Sequence, residues 1–288
     1  MTGRFKIIEG DGIDIANLLK KAGFAGIEGC IPFIEDLGPE GIEKVEQAFS
    51  NAGLSIHSFH LPFTSPTEHD LANLYETERK KAVDETAQWI KKAAMLGAKT
   101  GILHPTTKKG YSVKTEGFDR ILDAFSRSME ELLPISAKYG MIIAAENVPS
   151  ASIDRFGSSA EHIRKIRERL ACPDLGFCLD TGHALISSKD PIEFYEAMGD
   201  DLIAFHLADN AGDRDSHLAP GKGLFPWKEL FKRLGKNAPK RLMPGSLCVE
   251  TPPFAPGPPY SPKAWKSLFE DANKLVRENL IAGEAAYA

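Results

Sequence analysis

The chain has 288 residues, 42% hydrophobic and 26% charged, with a formal net charge of -5. That balance suits a globular protein with a sizeable core and excludes a disordered or low-complexity chain. The acidic surplus argues against nucleic acid as a partner, since nucleic-acid affinity rests on Lys and Arg set against phosphates, and no run is long and apolar enough to span a membrane.

Short apolar runs alternate with amphipathic stretches along the whole chain. FKIIEG from Phe5 opens the series and leads into a helical stretch near 13–22. AGIEG from Ala25 precedes another near 41–52, and SIHSFH from Ser55 precedes the longest. There Leu71, Leu74, Val83, Trp89, Ile90 and Ala94 form one apolar stripe among charges. GILHP from Gly101, MIIAAEN from Met141, LGFCLD from Leu175, LIAFHLAD from Leu202 and SLCVET from Ser246 follow. Their helical partners lie near 118–139, 159–170, 191–198, 227–234 and 262–280. Eight strand–helix units predict a parallel sheet with helical crossovers. Eight also closes a (β/α)8 TIM barrel, usually of about 250 residues, so the expectation is one α/β domain of that kind over residues 1–288. The Pro-rich TPPFAPGPPYSP after Glu250 reads as a loop. Four scattered cysteines without a Cys-x-x-Cys pair, and a start (MTGRFKIIEGDGID) lacking an apolar targeting core, predict a cytoplasmic protein.

The chemistry gathers where the predicted strands end. The third ends at His60, the fourth at His104, the fifth at Glu146, and the sixth at Asp180 with His183 beyond it. The seventh carries His206 near its end, and the eighth stops at Glu250. In a parallel barrel all these ends open on one face, where active sites are built. Imidazole and carboxylate together suit a divalent metal such as Zn, Mn, Co or Mg, and crowded carboxylates need a cation to offset their repulsion. The loop after the seventh strand, HLADNAGDRDSHLAPGKG, adds Asp209, Asn210, Asp213, Asp215 and His217. Its Gly-Lys-Gly makes Lys222 a candidate phosphate contact, with a plain turn as the alternative. His57 is expected to line the barrel, and His69 and His162 to lie on the surface. Trp89, Trp227 and Trp265 should pack in the core, and IRKIRERL should be a solvated helix face.

The runs HLPF, ILHP, AAEN, LDTGHA, FHLADN, DSHLAPGKG and CVET resemble the xylose-isomerase-like barrel superfamily, which includes sugar isomerases and 3-epimerases, inosose dehydratases and endonuclease IV. In the sugar branch the resemblance implies one divalent metal held by Glu146, Asp180, His206 and Glu250. Glu146 and Glu250 would then pass a proton on and off the carbon beside a carbonyl, through a metal-stabilised enediolate. His183 would touch the substrate oxygen. His60, His104, Asp215, His217 and Lys222 would line the substrate, with Arg214 a further candidate. A small carbohydrate, a sugar, sugar phosphate or polyol, is the implied partner, with no membrane; a homo-oligomer is compatible with this. The endonuclease IV branch implies three Zn ions held by His60, His104, Glu146, Asp180, His183, His206, Asp215, His217 and Glu250, a hydroxide attacking a phosphodiester, and Phe63 as a wedge between bases. The run VPSASIDRF after Asn147, and Gly182 where those nucleases carry Cys, depart from that branch. A barrel that only binds a ligand would lack one strand-end carboxylate, and none is missing.

Overall fold

The computed structural model describes residues 11–63, 69–107, 111–150, 154–243, 245–251 and 262–284. Among the described residues seven strands form one parallel sheet in sequence order: β1 (Gly26–Cys30), β2 (Ser55–His60), β3 (Thr100–Leu103), β4 (Ile142–Glu146), β5 (Leu175–Asp180), β6 (Leu202–Leu207) and β7 (Leu247–Val249). The helices are α1 (Asp11–Ala22), α2 (Ile31–Ile34), α3 (Pro39–Asn51), α4 (Glu76–Met95), α5 (Val113–Glu116), α6 (Phe118–Lys138), α7 (Ala160–Arg169), α8 (Thr181–Ser187), α9 (Ile192–Met198), α10 (Trp227–Lys236) and α11 (Pro262–Glu284). The run from Phe5, expected as the first barrel strand, and most of the Pro-rich loop lie outside the described residues.

The sheet curls into a nearly closed barrel, and one contact demonstrates it. Glu28 on β1 and His206 on β6 are five strands apart in the sheet, about 24 Å if it were flat at its usual strand spacing. Their side chains are 3.0 Å apart. The (β/α)8 TIM barrel reading of the sequence therefore holds.

Period-2 alternation sorts each strand's residues. Leu103, Ile143, Ala145, Leu175, Phe177, Leu179 and Phe205 face outward into the main core beneath the helices. Ile102, Ala144, Cys178, Ile203 and Ala204 form a separate cluster inside the barrel. One alternation further along, Glu146 follows Ala144, Asp180 follows Cys178 and His206 follows Ala204, all pointing inward at the strands' C-terminal ends. Small or medium residues below leave room for imidazoles and carboxylates above.

One helix begins later than the apolar stripe suggests. Leu71 and Leu74 belong to a loop, and α4 starts only at Glu76. Asp70 Oδ1 accepts the Ala72 amide at 2.9 Å and Asn73 Oδ1 accepts the Tyr75 amide at 2.9 Å, two Asx turns that hold the chain out of a helix. The loop is buried nonetheless, with Leu71 only 2% exposed.

Candidate metal centre and active site

Glu146, at the end of β4, is the hub. It is fully buried, with Oε2 3.4 Å from His60 Nε2, 3.3 Å from His104 Nε2 and 3.3 Å from His206 Nδ1. Its Oε1 is 3.1 Å from His183 Nδ1. Glu250, just beyond β7, brings Oε2 to 2.8 Å from the same His206 Nδ1. One oxygen or nitrogen from each of Glu146, Asp180, His206 and Glu250 falls within a span of 4.8 Å, as do those of His60, Glu146 and His206. The expected tetrad is thus assembled from four different strand ends.

Asp180 has two duties. Its Oδ1 caps α8 by accepting the His183 amide at 2.6 Å, which sets the sharp turn from strand to helix. Its Oδ2 is buried without a hydrogen-bond partner. Asn147 holds this corner from the side: its amide donates to the Asp180 carbonyl at 3.0 Å and accepts the Asp180 N–H at 2.8 Å. The Asn147 carbonyl also takes the His183 Nδ1 proton at 2.9 Å.

A second group stands beside the first. Asp215 Oδ2 lies 3.4 Å from His183 Nε2 and 3.1 Å from His217 Nε2. His217 has φ 46, the one positive value outside glycine among the described residues, a costly conformation for such a side chain. It is held there by Nδ1 donating to the Glu250 carbonyl at 3.1 Å and by the Thr251 hydroxyl on its own carbonyl at 2.5 Å. Asp209 organises the loop. Its two oxygens, fully buried, accept N–H groups from Asn210, Phe225, Gly221 and the Trp227 indole.

Electrostatics follow from this crowding. Burial pushes the Glu146 carboxyl up, but His206, His104 and His183 prevail and hold it well below the carboxylate range. Burial drives Asp180 up to about 7 against the pull of His183. Burial also pushes the Glu250 carboxyl up, but His206 beside it prevails and holds it down at about 2. Burial would lower both His206 and His183, yet the surrounding acidic groups keep both well above the usual histidine value. The donor set fits a divalent cation. Both Glu146 oxygens, Asp180 Oδ2 and Glu250 Oε2 are buried with no hydrogen-bond partner, a cluster of orphans that native interiors otherwise avoid and that a cation satisfies.

The remaining expectations divide. Phe63 sits against His60 and His104 with ring centroids 4.3 and 4.9 Å away. Lys222, a candidate phosphate contact with a plain turn as the alternative, has its Nζ 3.2 Å from Asp271 of α11. The Gly-Lys-Gly has a packing reason: a Cβ on Gly223 would lie 2.3 Å from the Asn210 carbonyl and from Asp209 Oδ1. Arg214 is exposed. His57 lines the barrel beside Gly26 and Gly245. His69 and His162, expected on the surface, are both buried: His69 Nδ1 is tied to Glu85 at 2.8 Å, and His162 stacks on Phe118. Trp227 is buried in the core and the half-buried Trp89 packs on the core beside Phe59, while the Trp265 side chain is outside the described residues. Glu28 escaped the sequence reading. Its signal was a lone acid within a short strand, between Gly26 and Gly29.

A parallel barrel with a carboxylate–imidazole cluster across its C-terminal mouth defines the class. The chain belongs to the xylose isomerase-like TIM barrel family, whose model matches residues 16–275. It is 24% identical over 239 residues to the uncharacterized protein y4fM of Sinorhizobium fredii, covering 76% of this chain and 75% of that one. It is 26% identical over 229 residues to a probable endonuclease 4 of Solibacter usitatus, covering 73% of each. Among solved structures, a D-tagatose 3-epimerase-like protein superposes with a TM-score of 0.75 at 21% identity, covering 94% of this chain and 98% of that one. A D-psicose 3-epimerase of Clostridium cellulolyticum and an L-ribulose 3-epimerase superpose with TM-scores of 0.74 and 0.68. No described helix is long and apolar enough to cross a membrane.

Proposed function

We propose that the chain is a divalent-metal-dependent sugar isomerase or epimerase that moves a proton on the carbon beside a carbonyl. The observation that carries this is the meeting of two glutamates from separate strands. Glu146 and Glu250 bring carboxylate oxygens to 3.3 and 2.8 Å from one atom, His206 Nδ1. When bound, a divalent cation among Glu146, Asp180, His206 and Glu250 supplies Lewis acidity to the substrate's carbonyl and hydroxyl oxygens. One glutamate accepts the proton from carbon. The other delivers a proton from the opposite face, which inverts the centre, or to the neighbouring carbon, which moves the carbonyl. His183, its Nδ1 tied to the Asn147 carbonyl, is oriented to meet a substrate oxygen. His60, His104 and Phe63 form a wall that positions the sugar and excludes water, and Asp215 and His217 close the other side. The likeness in fold to sugar epimerases supports the substrate class.

The test is solvent exchange. Metal-loaded protein in D2O, with a panel of ketoses, ketose phosphates and inososes, should place deuterium on a carbon beside the carbonyl. Glu250→Gln should abolish the exchange while leaving the fold intact. No exchange on any of these substrates with Mn, Co, Zn or Mg would overturn the proposal.

A second reading, a zinc phosphodiesterase of the endonuclease IV type, is favoured by one specific observation. Every donor of a three-metal set is present: His60 and His104 converge on Glu146, and His183 and His217 converge on Asp215. Metal content separates the two readings. About three Zn per chain would move the search to abasic-site DNA, and a single cation would leave the sugar reading standing.

A further inference from the structure

Glu28 has no part in the reading above, yet it is the acid closest to His206 on the ring edge away from the cluster. A register shift between Ile27 and Glu28 in the pairing of β1 with β2 breaks the strand's alternation at this residue, and bulges of this kind re-aim side chains. The flanking glycines press the strand close. A Cβ on Gly26 would fall 2.2 Å from the Ser55 carbonyl, and one on Gly29 would fall 2.8 Å from the Phe59 ring. Glu28 Oε2 accepts the Ser58 hydroxyl at 2.6 Å, which fixes the carboxyl on the barrel wall. Its Oε1 is then 3.0 Å from His206 Nε2.

The two edges of the His206 ring therefore face different acids: Nε2 faces Glu28, and Nδ1 faces Glu250 and Glu146. Neither nitrogen completes a hydrogen bond within the protein, so each edge is open to one partner: an acceptor for an N–H on one, a cation on the other. A neutral imidazole has one N–H and one lone pair, and whichever nitrogen carries the hydrogen cannot bind a cation. An acid on one edge settles which it is.

We propose that Glu28 is a positioning residue for the centre. It holds the His206 hydrogen on Nε2 and orients the ring, so that Nδ1 presents its lone pair to the cation. Ser58 acts one step further out by orienting Glu28. This rests on the reading of Glu146, Asp180, His206 and Glu250 as a cation site.

The experiment measures Zn2+ affinity of the full chain by competition with a chromophoric chelator, alongside nitrogen NMR of labelled histidine in the Zn-loaded protein. Glu28→Ala should weaken Zn2+ about ten- to a hundredfold, the range for losing such an outer partner. Glu28→Gln, which keeps an acceptor oxygen for Nε2–H, should recover most of that loss, and Ser58→Ala should fall between. In wild-type protein the His206 resonances should report hydrogen on Nε2 and metal on Nδ1, a measurement that needs no variant to fold. Wild-type affinity in folded Glu28→Ala, or hydrogen on Nδ1 of His206, would overturn the role of Glu28 alone. Wild-type protein that binds Zn2+ no better than Asp180→Asn would overturn the cation site itself, and Glu28's role with it.

Discussion

Asp209→Asn is the sharpest test of how the site loop is built, because the change alters one atom's chemistry and almost no volume. Asp209 Oδ1 accepts the Asn210 and Phe225 amides, both at 3.0 Å, and Oδ2 accepts the Gly221 amide at 3.1 Å and the Trp227 indole at 2.8 Å. An asparagine has one acceptor oxygen, so its NH2 must face two of these four donors. Two hydrogen bonds to a charged acceptor disappear, each contributing about 1.5–3 kcal/mol, and their buried donors are left unsatisfied. The expected loss is about 3–6 kcal/mol. With a sensitivity of roughly 2–4 °C per kcal/mol for larger domains, Tm should fall by about 6–24 °C. Urea unfolding of the variant, with Asp213→Asn as the exposed control on the same loop, measures it. The control should change stability by less than about 0.5 kcal/mol. A loss below about 1 kcal/mol for Asp209→Asn would refute the reasoning, because it would mean that the four bonds do not hold the loop. Since Asp209 and Leu218 also exchange both backbone hydrogen bonds, the loss should spread to the placement of His217 next door.

Gly223→Ala should disturb the same corner from the other side. Its Cβ would meet backbone at 2.3 Å, where nothing can give cheaply, and a loss of about 1–3 kcal/mol is expected from overpacking, read by the same unfolding assay. Adding Mn2+, Co2+ or Zn2+ to chelator-stripped protein should raise Tm, by the equivalent of about 2.7 kcal/mol at a hundredfold excess over Kd; scanning fluorimetry should show Asp180→Asn abolishing most of that rise. Asp70 supplies a pH effect away from the cluster. Burial lifts its carboxyl to about 6 from 3.8 in spite of hydrogen bonds from the Ala72 amide and the Thr106 hydroxyl. The folded state thus holds this proton more tightly than the unfolded chain. Its contribution is full below about pH 4 and is lost as pH rises through about 6, amounting to about 3 kcal/mol. Asp70→Asn should therefore gain stability relative to wild type between pH 4.5 and 7, measured by urea unfolding at both values; a gap that stays constant with pH would contradict the assignment.

How much of this was legible in the sequence depends on how local the determining physics is. The strand ends were legible because an apolar run stopping at His60, Glu146, Asp180 or Glu250 is a short-range pattern, and the parallel barrel carries every such end to one mouth. The Leu71–Leu74 stretch misled because helical spacing of apolar residues says nothing of the two side chains, Asp70 and Asn73, that turn the backbone before α4. His69 and His162 misled for a related reason. Charged neighbours at adjacent positions point elsewhere on a helix or loop, while the imidazole itself finds Glu85 or Phe118. Lys222 stayed open between a phosphate contact and a plain turn because glycines on both sides of a lysine have two causes, and the close approach of Gly223 to Asp209 is visible only once the loop is folded.

The hardest layer to read was the orientation of the imidazoles, and it is the layer that sets the chemistry. His60 commits Nδ1 to the Leu61 carbonyl at 3.0 Å and turns Nε2 inward. His217 commits Nδ1 to the Glu250 carbonyl and turns Nε2 to Asp215. His206 does the reverse, with Nε2 toward Glu28 and Nδ1 toward the glutamates. The difference lies in what stands behind each ring. A backbone carbonyl next in sequence or on a crossing segment can reach Nδ1, whereas reaching Nε2 from behind takes a long side chain from another strand. Among the described residues β1 offers one, through a bulge that displaces a single residue. A histidine in a strand-end pattern therefore announces a ligand, but which nitrogen it offers is decided by tertiary partners that share no sequence neighbourhood with it.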